Sequence, residues 1–249
     1  MSLTWPSTSR AEDAAVWALA DLATSARDHE YRVIGGNMTT FHGARFTPRL
    51  PVRTTSDADA GIESSATAAE ILVTALVGLG YQQVDGSRFT RDHSGLELII
   101  DLLVPDVYAQ EHNIVLGPLS ADAAPGLALA LAREATWVEA SVVLTTLEEI
   151  SLRLPLPDSA AAVVLKTLAW SQRLADKDAT DVYRLLDTWE QDVSSGQARP
   201  LRRSTSTNRA VGVLRRFFLA PKSQAELLPT ASQTLGRGLA AQFIDWVDA

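Results

Sequence analysis

Arg53-Thr54-Thr55-Ser56-Asp57-Ala58-Asp59-Ala60-Gly61-Ile62 is the stretch around which the rest of the chain is organised. It places two aspartates two residues apart, between a polar lead-in and a short run of small and apolar residues. In a strand, successive side chains alternate between the two faces, so Asp57 and Asp59 would point to the same side. Two such carboxylates repel each other unless a cation lies between them, and Mg²⁺ is a common solution. The alternative is a solvated, aspartate-rich turn.

A third aspartate lies on a later predicted strand. The run Leu96-Glu97-Leu98-Ile99-Ile100-Asp101-Leu102-Leu103-Val104 is strongly apolar and carries one aspartate near its centre. Burying an unpaired carboxylate is costly. Asp101 therefore requires a partner or a metal ion.

A glycine pair precedes the two aspartates. Tyr31 to Gly35 predicts a short strand that runs into Gly35-Gly36 and Asn37, followed by a helix from Met38 to Arg45. Glycine allows close approach of the backbone to a ligand. The N-terminus of a helix offers free N–H groups to a phosphate. The same residues are also compatible with an ordinary turn.

In this order, the elements resemble the nucleotidyltransferase superfamily that includes DNA polymerase β. Its signature is a strand ending in Gly-Gly or Gly-Ser, then D-x-D, then a third acidic residue on a later strand. The R-x-T-x-D-x-D form (Arg53, Thr55, Asp57 and Asp59) and the later I-D-L-L around Asp101 are most similar to the AbiEii-type toxin nucleotidyltransferases.

The resemblance continues to about residue 190. AbiEii-type proteins follow the sheet with a lysine-bearing helix and a K-D-x-x-D helix, here Val164-Leu165-Lys166-Thr167-Leu168 and Lys177-Asp178-Ala179-Thr180-Asp181. Lys166 either extends its amine to solvent or meets a phosphate. Asp178 either caps its helix or belongs to the active site, and Asp181 either pairs with Arg184 or Lys177 or belongs to that site.

The resemblance implies a catalytic site with two Mg²⁺ ions and an NTP substrate. Asp57 and Asp59 would hold the ions, and Asp101 would complete the metal site and take the proton of the attacking hydroxyl. The implied nucleotide-binding residues are Gly35, Gly36, Asn37, Arg53, Thr55, Lys166, Asp178 and Asp181. Lys166 is implied as a catalytic residue as well.

The predicted fold class is α+β, with an α/β-like nucleotidyltransferase core at 1–157 and a helical C-terminal domain at 158–249. The pattern predicts helices at 11–28, 66–79, 159–173 and 177–190, and further helices at 210–219 and 224–246. Strands are predicted at 81–84, 88–90, 138–144 and 150–156 in addition to those above. A short helical turn or connector is predicted at 127–133. Residues 46–52 and 105–125 predict loops.

Composition limits the function classes. The 249 residues include no cysteine, which excludes disulfides and thiolate metal sites and is typical of a reducing cytoplasm. No apolar run is long enough to span a membrane, and the N-terminus does not have the layout of a signal peptide. The net charge of −8 argues against a protein that binds nucleic acid over its whole surface. A basic run around Arg199–Arg203, continuing to Arg216, predicts either a solvated linker and helix face or an RNA contact.

The resemblance implies the toxin of a toxin–antitoxin pair that adds nucleotides to tRNA, with an antitoxin as a possible protein partner. An alternative is a nucleotidyltransferase that modifies an aminoglycoside-type antibiotic, because an acidic protein suits a cationic substrate. A third hypothesis is a nucleotide-binding or partner-binding module without turnover. The complete set of three aspartates counts against this third hypothesis.

Overall fold

The computed structural model of the protein describes residues 2–46, 54–106, 113–220 and 224–249. The fold is α+β with mixed sheets, which confirms the predicted class. The chain divides into two compact units. The first comprises Met1–Phe41 and Arg53–Pro157, and the second comprises His42–Val52 and Asp158–Ala249.

The first unit contains all of the strands in the described part of the chain. These are β1 (Ser2–Pro6), β2 (Tyr31–Val33), β3 (Ala58–Ile62), β4 (Gln82–Asp85), β5 (Arg88–His93), β6 (Leu96–Pro105), β7 (Asn113–Leu116), β8 (Leu119–Ala124), β9 (Thr136–Val143) and β10 (Glu149–Leu156). The helices that begin in this unit are α1 (Arg10–Ser25), α2 (Gly35–Ala44), α3 (Ala66–Gly78) and α4 (Leu127–Leu131).

The larger sheet is built around β6. Its strand order is β2-β3-β6-β5-β4, with β8 also paired to β6 and β7 paired to β8. β3 and β8 run parallel to β6, whereas β5 runs antiparallel to it. The alternate side chains Leu98, Ile100, Leu102 and Val104 are fully buried. Asp101 therefore lies on the opposite face of β6 from this apolar row.

β1, β9 and β10 form a separate three-stranded sheet. β1 pairs parallel with β9, and β10 pairs antiparallel with it. The predictions of strands at 138–144 and 150–156 are confirmed, whereas β1 was not anticipated from the sequence.

The predicted loop at 105–125 is wrong for residues 113–124, which form the hairpin β7–β8. Its turn contains Gly117 with φ of +59°. Leu119 and Ala121 are fully buried, but alanines and serines supply most of the neighbouring positions. Small side chains give a weak hydrophobic alternation, and this is why the strand pattern was missed.

Side-chain caps define the starts of α1 and α3. Ser9 accepts a hydrogen bond from the Glu12 N–H, so α1 begins at Arg10. Ser65 likewise accepts from the Ala68 N–H at the start of α3. Serine is a favoured residue at this position because its hydroxyl satisfies an otherwise unpaired N–H. The predicted helix at 66–79 is confirmed to within one residue.

The second unit is helical. Its elements are α5 (Ser159–Arg173), α6 (Asp176–Ser194), α7 (Thr205–Leu214), a π-helical turn (Arg215–Leu219), a 3₁₀ turn (Gln224–Leu227) and α8 (Thr230–Asp248). Trp170, Tyr183, Phe218 and Phe243 are almost fully buried within it. α7 starts earlier than predicted because Ser204 and Thr207 form a reciprocal capping box. Within the described residues, no helix has the length and apolarity needed to cross a membrane.

Candidate functional site

The three predicted acidic residues of the first unit come together. Carboxylate oxygens of Asp57, Asp59 and Asp101 lie within 4.8 Å of one another, and each residue is half-buried. Strand pairing explains the convergence, because β3 and β6 are parallel neighbours in which Asp59 lies opposite Asp101. Asp57 lies immediately before β3, one residue outside the strand predicted for it.

The glycine pair lies directly against this acidic cluster. Gly35 has φ of +64°, and a Cβ atom built there would lie 1.7 Å from Oδ2 of Asp59. Only glycine fits a backbone that is both left-handed and so close to a carboxylate. The predicted helix start at Met38 is wrong: α2 begins at Gly35, so both glycines belong to its first turn.

Two residues predicted to bind the nucleotide, Asn37 and Thr55, form hydrogen bonds to Asp57. The Asn37 side-chain amide donates to the Asp57 carbonyl at 2.7 Å, and the Thr55 hydroxyl donates to Oδ1 of Asp57 at 2.7 Å. A Cβ at Gly36 would lie 3.0 Å from the Thr55 hydroxyl. Asn37 and Thr55 thus orient Asp57, and their role towards a nucleotide stays a prediction. Arg53 lies outside the described residues, as does most of the predicted loop at 46–52.

The donor set fits a hard divalent cation. Mg²⁺ prefers carboxylate oxygens and retains open positions for water or phosphate oxygens. Asp57, Asp59 and Asp101 offer three such carboxylates at one point, on elements fixed by a sheet.

No protein-family model and no curated protein matches this chain. Function must therefore be inferred from the geometry of the site and from the sequence motifs.

Sequence reasoning missed one residue of this site, Arg88. Its guanidinium donates to both carboxylate oxygens of Asp101, from Nε to Oδ1 at 2.9 Å and from Nη2 to Oδ2 at 2.7 Å. These hydrogen bonds raise the pKa of Arg88, and the charges of Asp57 and Asp59 add to the shift. Within the described residues, Arg88 is thus a counter-ion of Asp101 in the acidic cluster.

The missed contact has a signal in the sequence. β5 and β6 are joined by Ser94-Gly95, both at positive φ, as in a tight two-residue hairpin turn. The turn length fixes the register, and that register pairs Arg88 with Asp101.

Because Arg88 and a metal ion would both bind Asp101, Arg88→Gln should tighten binding of Mn²⁺ to the metal-free protein by about fivefold. Removing one nearby positive charge in partly solvated surroundings has an effect of this size. Free Mn²⁺ measured by electron paramagnetic resonance gives the affinity directly. Arg153→Gln, an exposed arginine of β10, is the matched control. Weaker binding in Arg88→Gln would show instead that Arg88 orients Asp101 for the metal.

In the second unit, Lys166 is buried between two aspartates. Its Nζ lies 3.0 Å from Oδ1 of Asp178 and 3.0 Å from Oδ2 of Asp181, and 5% of its side chain is exposed. The alternative that Lys166 extends its amine to solvent is therefore wrong. Its predicted contact with a triphosphate stays a prediction.

The two aspartates are also buried, and two arginines complete the cluster. Asp178 pairs with Arg173 at 3.2 Å, and Asp181 pairs with Arg184 at 2.9 Å, as expected for residues three apart on a helix. The alternative that Asp178 caps α6 in a capping-box-like pattern is wrong, because Ala175 is the N-cap residue and the start of α6 has no side-chain cap hydrogen bond. The nucleotide-binding role predicted for Asp178 and Asp181 stays a prediction.

Proposed function

We propose that this protein is a Mg²⁺-dependent nucleotidyltransferase that moves an NMP from an NTP to a hydroxyl acceptor. The observation that carries the proposal is the convergence of Asp57, Asp59 and Asp101 within 4.8 Å, next to a glycine pair at a helix N-terminus. Three carboxylates and an adjacent phosphate-accepting backbone are what this chemistry requires.

In this proposal Asp57, Asp59 and Asp101 hold the metal ions. Ions held there would neutralise phosphate charge and lower the pKa of the attacking hydroxyl. The acceptor oxygen forms a bond to the α-phosphorus, and pyrophosphate leaves with the electron pair of the broken P–O bond. Asp101 takes the hydroxyl proton, and the N–H groups at the start of α2 receive the triphosphate.

The acceptor we propose first is RNA, with tRNA as the class that the sequence resemblance implies. On the same basis we propose a toxin that is regulated by an antitoxin protein. The net charge of −8 favours the second candidate, a cationic small molecule of the aminoglycoside type. An assay must therefore offer both acceptors.

The proposal is tested by incubating the protein with α-labelled NTPs, Mg²⁺ and either total tRNA or an aminoglycoside panel. We expect label on tRNA and its loss with a chelator. Gly35→Ala should slow transfer by about a hundredfold, because the new Cβ displaces the Asp59 carboxylate, and misplacements near 1 Å have effects of that order.

Gly43→Ala is the matched control. Gly43 lies in the same helix, and a Cβ there would meet no atom within 4 Å. Transfer to the aminoglycosides alone would favour the second candidate. Absence of transfer to every acceptor, or full activity in Gly35→Ala, would contradict the proposal.

A further inference from the structure

Charge is distributed unevenly along this chain. Residues 193–220 contain six arginines and neither aspartate nor glutamate, although the whole chain has a net charge of −8. The segment thus contributes +6, which leaves −14 for the remaining residues. Such a local reversal of sign is typical of a binding surface for an anionic polymer.

The structure places five of these arginines at the surface of the second unit. Arg202, Arg203, Arg209, Arg215 and Arg216 are all exposed, and we call them the arginine surface. Arg203 and Arg215 both pair with Asp248, so their guanidinium groups lie beside one carboxylate. Arg203 also donates to the Asn208 side chain at 2.9 Å, which links it to α7.

One face of α7 continues this surface. Its exposed positions are Thr205, Asn208, Arg209 and Gly212, and the exposed Arg216 follows seven residues after Arg209. Arg216 lies in the π-helical turn that directly continues α7, so both arginines belong to one continuous helical segment, 205–219. The buried positions of α7, such as Ala210 and Leu214, face the core.

We infer that the arginine surface binds the phosphate backbone of RNA. Guanidinium groups match phosphate oxygens with paired hydrogen bonds, and all six basic residues of the segment are arginine. Thr205 and Asn208 add neutral donors of the kind that contact nucleic-acid backbones. The inference deepens the proposed function by locating where its acceptor docks.

The alternative partner, an anionic membrane, fits less well. Peripheral membrane helices combine basic residues with exposed apolar side chains that enter the lipid. Within residues 193–220, Val193 at the end of α6 is the one large apolar side chain that is exposed. The chain neighbours of Arg209 on α7, Asn208 and Ala210, are polar or small.

The test measures binding without catalysis. Fluorescein-labelled total tRNA is titrated with the full chain carrying Asp57→Asn, without NTP, at several salt concentrations. Adding Arg209→Gln and Arg216→Gln should weaken binding about tenfold. The slope of log affinity against log salt concentration should also become less negative by about 1.5. This is the change expected when two phosphate contacts are lost.

The matched control is Arg27→Gln with Arg153→Gln, two exposed arginines of the first unit with the same change in net charge. It should bind tRNA as the parent does. An equal loss of tRNA affinity in the two double variants would show a net-charge effect and overturn the inference. Absence of tRNA binding, or preferential binding to phosphatidylserine vesicles, would also overturn it. tRNA binding by a wild-type chain that transfers nucleotide to no acceptor would contradict only the proposed function.

Discussion

Asp59→Asn should reduce Mg²⁺-dependent nucleotidyl transfer by about a thousandfold or more. Asp59 lies at the centre of the candidate site, opposite Asp101 in the strand register and in contact range of Gly35. Replacing a carboxylate by an amide removes a charged metal ligand and leaves the shape unchanged. The transition state then loses several kcal/mol of charge stabilisation, which corresponds to a rate effect of about that size.

The same substitution should leave the fold intact. Three half-buried carboxylates repel one another, so removing one charge should leave the melting temperature of the metal-free protein equal or slightly raised. Asp122→Asn, an exposed aspartate of β8, provides the control with the same chemical change. Transfer rates, Mn²⁺ affinity and thermal melting are measured on both variants. Normal turnover in Asp59→Asn would remove the metal site from the mechanism.

The acidic cluster could be predicted because period-2 alternation is a strong physical constraint. Asp101 lies among alternate apolar residues in a strand that had to be buried, so its carboxylate needed a partner. The two-residue spacing of Asp57 and Asp59 predicted that their side chains lie on the same side of a strand. Pairing of β3 with β6, which places Asp59 opposite Asp101, depends on contacts between distant segments that no local pattern encodes.

The environment of Gly35 shows a second limit of sequence reasoning. The glycine pair was predicted to end a strand, whereas it forms the first turn of α2. Glycine has the lowest helix propensity apart from proline, and local preference therefore opposed a helix here. The close approach to Asp59 requires glycine regardless of that preference. The contact with Asp59, and not local helix propensity, accounts for the glycine at position 35.

The partners of Lys166 illustrate a third limit. Its apolar neighbours in α5 indicated burial, and a buried ammonium requires negative partners. Two kinds of negative partner were compatible with the sequence: a phosphate of a bound nucleotide, and the aspartates of the next helix. The short connection between α5 and α6 brings the two helices together and places Asp178 and Asp181 at Nζ. An electrostatic role of Lys166 within the fold could thus be inferred from the sequence.

This arrangement leads to the second large effect: Lys166→Met should destabilise the protein by about 3–5 kcal/mol. Methionine has a similar length but no charge, so Asp178 and Asp181 would lose their shared buried counter-ion. Removing one partner of a buried ion pair leaves an uncompensated charge and has an effect of that size. Arg173 and Arg184 still pair with the two aspartates, so the loss should lie near the lower end. Urea denaturation of the full chain at about pH 7 gives the value.

Two variants separate the buried cluster from a general effect of charge. Lys177→Met removes an exposed lysine in the same region and should change stability by less than about 0.5 kcal/mol. Asp181→Asn, added to Lys166→Met, should restore part of the lost stability because it removes one uncompensated carboxylate. Equal stability of Lys166→Met and Lys177→Met would mean that the ion pairs do not form in solution.

Acid should reduce the difference in unfolding free energy between Lys166→Met and the wild type. Burial alone would raise the pKa of Asp178, but the ammonium of Lys166, with help from Arg173 and Lys177, outweighs burial and lowers it. A lowered folded-state pKa contributes stability above the unfolded value of about 4, and this contribution is lost as pH falls through the folded value. Lys166→Met removes the main lowering cause, so its Asp178 should become protonated at higher pH than in the wild type. Denaturation at about pH 7, 5 and 3 should therefore show a difference in unfolding free energy that shrinks with acidity; a difference that stays constant would place its origin in packing around residue 166 and not in charge.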